Sequence, residues 1–201
     1  MPDPDVLDRF FTAAAEGDVA TVEALIEGGV DIDVTNRQRR TAVLVAAMNQ
    51  QYELVGRLAE LGADIDRQDE TRFNPFLYGC IQDDARLVRM MVRAGADLDR
   101  LTRFGGVGLH PAAEKGYVEL VRELLETTDV NVNHTNWVGW TPLLEAVILR
   151  DGGPVQQEIV KLLLEHGANP NMTDKYGKTP RELALELGFG EIAELLAAAR
   201  G

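Results

Sequence analysis

The chain contains no serine, one cysteine (Cys80), three histidines and four lysines in 201 residues. Each shortage closes a class of chemistry. Without serine there is no serine nucleophile, and no threonine is accompanied by a convincing base. One cysteine cannot build an internal disulfide framework and suits a reducing compartment. His110, His134 and His166 lack a second His or Cys at metal-ligand spacing, so no zinc site is expected. Lys and Arg together number 20 against 33 Asp and Glu, a net charge of −13. So acidic a chain lacks the positive surface that generic nucleic-acid or anionic-membrane binding needs. No apolar run is long enough to cross a bilayer. Met1-Pro2-Asp3-Pro4-Asp5 has neither the cationic segment nor the apolar stretch of a signal peptide, so a cytoplasmic location is expected.

Two further motifs are missing. Gly105-Gly106-Val107-Gly108 has neither the spacing nor the preceding strand of a phosphate loop, and the Asp-x-Asp pairs never extend into a calcium loop ending in Glu. No catalytic residue, cofactor or metal ligand is therefore expected. Cys80 stands where a small buried residue is wanted.

What the chain does have is a beat. Gly29-Val30-Asp31-Ile32-Asp33 returns as Gly62-Ala63-Asp64-Ile65-Asp66 and Gly95-Ala96-Asp97-Leu98-Asp99, then, past a degenerate copy at 128–133, as Gly167-Ala168-Asn169-Pro170-Asn171. A second phrase keeps the same time from Thr41, Asn74, Val107, Thr141 and Thr179, at intervals of 33, 33, 34 and 38 residues. A fixed period of this size marks a solenoid, whose units stack because none buries its apolar face alone. With 45% hydrophobic and 26% charged residues the composition is that of a folded soluble protein.

One copy shows the local logic. Asn74 caps, Pro75 occupies the first helical position, and Phe76, Leu77 and Cys80 share a face at helical spacing. Leu87, Val88, Met90, Met91 and Val92 give a second apolar helix, ended by Gly95. Each unit is thus helix, turn, helix and a protruding hairpin or loop. These phrases resemble the ankyrin repeat: Thr141-Pro142-Leu143-Leu144-Glu145-Ala146 departs from Thr-Pro-Leu-His-x-Ala only at the His position, and Leu109-His110-Pro111-Ala112-Ala113 keeps the other half. The resemblance covers nearly the whole chain. It implies an all-α ankyrin-repeat solenoid, a single domain over 1–201, in about six repeats at 5–34, 35–67, 68–100, 101–134, 135–172 and 173–201. The first and last are read as caps shielding the open ends.

Two units break the pattern. The fifth is five residues over the period, and the excess at 149–157 is expected to form an extended loop, because Gly152-Gly153-Pro154 cannot continue a helix. In the fourth, Phe104-Gly105-Gly106-Val107-Gly108 replaces the Thr-Pro start and removes the side-chain cap. These glycines either turn the chain or admit a partner's backbone, and turning is preferred.

In the resembled family, hairpin tips and inner faces of the first helices line a concave groove that holds partners. Carried over residue by residue, the partner-binding set is Arg37, Arg40, Phe73, Arg103, Phe104, Trp137, Trp140 and Tyr176 at the tips, with Met48, Ile81 and Leu149 on inner helices. Both tryptophans of the chain fall in this set. Aromatics and Arg dominate binding energy at interfaces, although the two indoles have the alternative of folding onto neighbouring hairpins. Arg37, Arg39, Arg40, Arg72 and Arg103 predict a locally positive surface for an acidic segment, unless Asp31, Asp33, Asp64, Asp66, Asp97 and Asp99 neutralise it. The resemblance therefore implies a non-enzymatic, monomeric scaffold that binds another protein, and neither nucleic acid nor membrane. A self-associating oligomer, or an enzyme with a pocket in the groove, is the alternative.

Overall fold

Why each segment folds as it does is visible at its first turn. Thr41, Asn74, Thr141 and Thr179 each accept, on the side-chain oxygen, the backbone N–H three residues on, satisfying a donor that the helix itself leaves orphaned. Pro75, Pro142 and Pro180 follow at the first helical position, where a missing N–H is harmless. Asp18 and Asp84 cap two of the second helices in the same way.

The computed structural model describes residues 3–199, and among them lie twelve α-helices and no strand. They divide into two compact units, the first running to Asp97 and the second from Leu98. In the first, α1 (Pro4–Glu16) pairs with α2 (Val19–Glu27), α3 (Ala42–Met48) with α4 (Tyr52–Glu60), and α5 (Pro75–Gln82) with α6 (Ala85–Arg93). In the second, α7 (Leu109–Lys115) pairs with α8 (Val118–Thr127), α9 (Pro142–Ile148) with α10 (Pro154–Glu165), and α11 (Pro180–Glu186) with α12 (Gly190–Ala198). Within each unit the first helices of successive pairs pack on one another, α1 on α3 on α5 and α7 on α9 on α11, and second helices also meet, α2 with α4, and α10 with both α8 and α12. This is an all-α stack of helix pairs.

In each unit the core lies between its first and second helices. Phe10, Leu44, Leu54, Leu58, Phe76, Leu77 and Leu87 are fully enclosed in the first unit, as are Leu109, Leu120, Leu124, Leu143, Leu144 and Leu163 in the second. Truncating any one of these leucines to alanine is worth about 2–5 kcal/mol. Cys80 is wholly buried among them, and burial pushes its thiol pKa up, so it stays a protonated packing residue.

The hairpin phrase has a structural task. Asp33 Oδ1 accepts the N–H of Asp64 at 2.8 Å, and Asp66 Oδ1 that of Asp97 at 2.9 Å. Asn133 Oδ1 does the same for Asn169 at 2.8 Å. These Asp and Asn side chains stitch one repeat's turn to the next.

The excess in the fifth repeat is not an extended loop over 149–157. The link between α9 and α10 is residues 149–153, and α10 already starts at Pro154, with twelve residues against nine in α4. Pro154 begins the helix instead of preventing it, since proline is barred only from the interior. The longer helix brings Gln156 under α7, where its Nε2 donates to the Glu114 carbonyl at 3.2 Å. Gln51 does the same for Ala15 O in the first unit at 3.2 Å.

Candidate partner-binding surface

The tips are five-residue turns built on one plan. The residue opening each turn, Asn36, Asp69, Thr102, Asn136 or Asp174, accepts the N–H groups two and four residues on with a single side-chain oxygen. Its own N–H donates to the carbonyl of the fifth residue. Such side-chain mimicry of a turn is what Asn, Asp and Thr do well. The fourth position is always left-handed: Arg39 at φ 60° and Arg72 at φ 64° in the first unit, Gly105, Gly139 and Gly177 in the second.

With the frame fixed, the remaining positions are free to carry recognition, and the units differ. In the first unit the tips read Arg37-Gln38-Arg39-Arg40 and Glu70-Thr71-Arg72-Phe73, and Arg37, Arg39 and Arg72 are exposed. Arg40 is turned to structural use: its Nε donates to Asp69 Oδ2 at 3.1 Å, and the Asp69 side chain is completely buried. Hydrogen bonds from Phe73, Thr71 and Arg40 outweigh the burial that opposes them and hold the Asp69 carboxyl below its ordinary value. Phe73 is half-buried and edge-on to Tyr78, ring centroids 6.1 Å apart. Met48 and Ile81 are half-buried.

In the second unit the tips read Arg103-Phe104-Gly105-Gly106, Trp137-Val138-Gly139-Trp140 and Lys175-Tyr176-Gly177-Lys178, without a single acid. Phe104 is 63% exposed, Trp137 64% and Tyr176 75%, with Val138 beside them and Trp140 half-buried. Arg103 lies over the Phe104 ring and Lys175 over that of Tyr176, at 4.6 and 5.0 Å from the centroids, so cations rim the aromatic surface. Trp137 N donates to Phe104 O at 3.0 Å, tying two tips edge to edge. Leu149, at the C-terminus of α9, is also exposed.

The glycines of the fourth repeat serve close approach within the chain. Any side chain on Gly105 would overlap the Trp137 indole, and one on Gly106 would overlap His110. His110 ties down the entry to α7, which has no side-chain cap: Nδ1 accepts the Val107 N–H at 3.2 Å, which leaves the ring proton on Nε2 to donate to Trp140 O at 3.1 Å. Burial drives its pKa down to about 4, against the hydrogen bond to Trp140, so the ring is neutral. His134 Nε2 donates to Gly105 O at 2.8 Å, and His166 Nδ1 to Leu162 O at 2.9 Å. All three histidines thus brace backbone. Among the described residues no cluster of His, Cys, Asp or Glu could hold a metal ion, and no helix is long and apolar enough to cross a membrane.

Residue reasoning passed over the turn-opening five, although they share the beat, and over Glu145, a carboxylate 8% exposed on α9. The model of ankyrin repeats matches residues 10–102, 76–174 and 109–201. The chain belongs to the ankyrin repeat family. It is 56% identical over 190 residues to the ankyrin repeat protein YahD of Escherichia coli, spanning 94% of each. A crystal structure of an ankyrin repeat domain from Acinetobacter baumannii is 42% identical and superposes with a TM-score of 0.88, over 94% of this chain and 96% of that one. The ankyrin repeat protein EF0377 is 34% identical with a TM-score of 0.85, over 94% and 96%. Ankyrin repeats generally mediate protein–protein interaction and are typically non-enzymatic.

Proposed function

We propose that this chain is a monomeric, cytoplasmic, non-enzymatic scaffold that captures another protein on its turn tips. The aromatic tips of the second unit are the anchors, and the arginine tips of the first favour an acidic segment. One observation carries the reading. Of the nine large hydrophobic residues exposed among the described residues, eight belong to the second unit, and Phe104, Trp137, Val138 and Tyr176 stand at its tips. Concentrated aromatic exposure on turns that are otherwise fully hydrogen-bonded is the signature of an interaction patch. The turns are folded by their opening side chains and backbone, and the rings add exposed apolar surface to them. Arg37, Arg39 and Arg103 add exposed positive charge to an acidic chain, which sets polarity and encounter rate more than affinity.

The test is affinity capture from the native host with wild-type bait and with Trp137→Ala/Tyr176→Ala bait, each at matched helical content. A partner held by the wild type and lost by the pair supports the reading. Undiminished capture, or unfolding of the variant, removes these residues from the site. Arg37→Glu should weaken capture of the same partner and flatten its salt dependence. Light scattering should give the mass of a single chain.

A further inference from the structure

The turn at 136–140 is tied to the helix that follows it. Asn136 Oδ1 accepts the N–H groups of Val138 and Trp140, both at 3.0 Å, which folds the turn. Its other arm, Nδ2, donates to Glu145 Oε1 at 2.7 Å. Glu145 occupies the place that Val45 fills in α3 and Leu183 in α11. The stack therefore does not require a carboxylate there, and burying one is costly. What the carboxylate adds is a grip on Asn136.

We propose that Glu145 is the positioning residue of this tip: by holding Asn136 it fixes the turn that presents Trp137, Val138 and Trp140, and its proton sets how firmly they are presented. An amide bond to a carboxylate is about twice as strong as one to a neutral acceptor, so protonation loosens the anchor while the helices stay packed. Burial raises the Glu145 carboxyl to about 7, the Asn136 hydrogen bond opposes this, and the Glu114 charge on α7 adds to it. The other titratable side chains on the helices packed against α9 are His110 and Lys115 on α7, Glu158, Lys161 and Glu165 on α10, and Arg181, Glu182 and Glu186 on α11. The tip thus changes state near neutrality. The consequence for binding rests on the partner reading above; the ordering of the tip does not.

Trp137 and Trp140 are the only tryptophans in the chain, so indole fluorescence of the full-length protein reports this tip alone. Acrylamide quenching is followed from about pH 5 to about pH 9, with circular dichroism confirming a constant fold. The wild type should become more quenchable as pH falls, following one proton with a midpoint of about 7. Glu145→Gln, which keeps the acceptor oxygen without the charge, should be flat at the wild type's acid level. Glu145→Val should be flat and more quenchable still. Asn136→Thr folds the turn as Thr102 does but cannot reach Glu145, and should also be flat. A flat wild type, or an unchanged titration in Glu145→Gln, overturns the proposal. Partner capture is not read, so failure of the binding reading would leave this result standing.

Discussion

Gly105 lies against the indole of Trp137 so closely that no side chain fits between them. The contact explains how an exposed ring is also an ordered one: it folds onto the neighbouring tip by one face and offers the other to solvent. Of the alternatives open for this residue in the sequence, folding onto a neighbouring hairpin is what the contact shows, and the ring stays 64% exposed.

Gly105→Ala therefore has two consequences. The residue sits at φ 82°, which a Cβ disfavours, and the methyl group displaces the indole. A loss of about 1–3 kcal/mol is expected in urea unfolding, with a change in tryptophan emission. Gly139→Ala shares the left-handed φ of 81° but meets only ordinary van der Waals contact, so its emission should stay as in the wild type.

Asn74 is fully buried; its Oδ1 caps Leu77 at 2.8 Å while its Nδ2 has no partner. Threonine stands at the same place in three other repeats. Asn74→Thr keeps the cap and deletes the orphaned donor. A gain of about 1 kcal/mol in denaturant unfolding is expected; a loss would show that the amide is satisfied in solution.

Arg39 holds a left-handed conformation at φ 60° where three other repeats use glycine. Arg39→Gly should raise stability by about 1 kcal/mol, measured by thermal or urea unfolding. Weaker partner capture by the stabilised variant would mark Arg39 as kept for binding.

Glu145 makes stability fall with rising pH. Its carboxyl is raised from 4.5 in the unfolded chain to about 7 in the fold, so the stability it permits is complete below 4.5 and lost as pH rises through 7. Glu145→Gln should therefore match the wild type near pH 4.5 and exceed it by about 3 kcal/mol at most above pH 8, read from urea midpoints across pH.

His110 acts in the opposite sense. Burial lowers it from 6.5 to about 4, so its contribution is present above 6.5 and lost as pH falls through 4. His110→Leu copies the residue at this place in α3, α5 and α9 but leaves Val107 N–H unpaired and takes away one of the two donors to Trp140 O, which keeps the Asn136 N–H. A loss of about 1–3 kcal/mol is expected at neutral pH. The gap should narrow on acidification, because the variant has no buried imidazole to charge.

Arg40, Glu145 and Pro154 show where local reading stops. As a tip arginine Arg40 looks available; its use depends on Asp69, 29 residues away, which must be buried before the ion pair has value. Glu145 reads as a variable position until the burial around it and the reach of Asn136 are known. Pro154 looked like a barrier and is a first residue, a distinction set by whether α10 has something to pack on.

The sequence alone determined the repeat, the helix pairs and the places of the tips, because apolar spacing, capping residues and left-handed glycines act over a few residues and recur on one beat. Tertiary structure decided the rest. Which arginine points outward, why two glycines of the fourth repeat must be glycines, and which carboxylate grips the tryptophan-bearing turn all depend on contacts between neighbouring repeats. Such contacts bring together residues about one period apart, and burial and hydrogen bonding across that distance leave no local pattern to read.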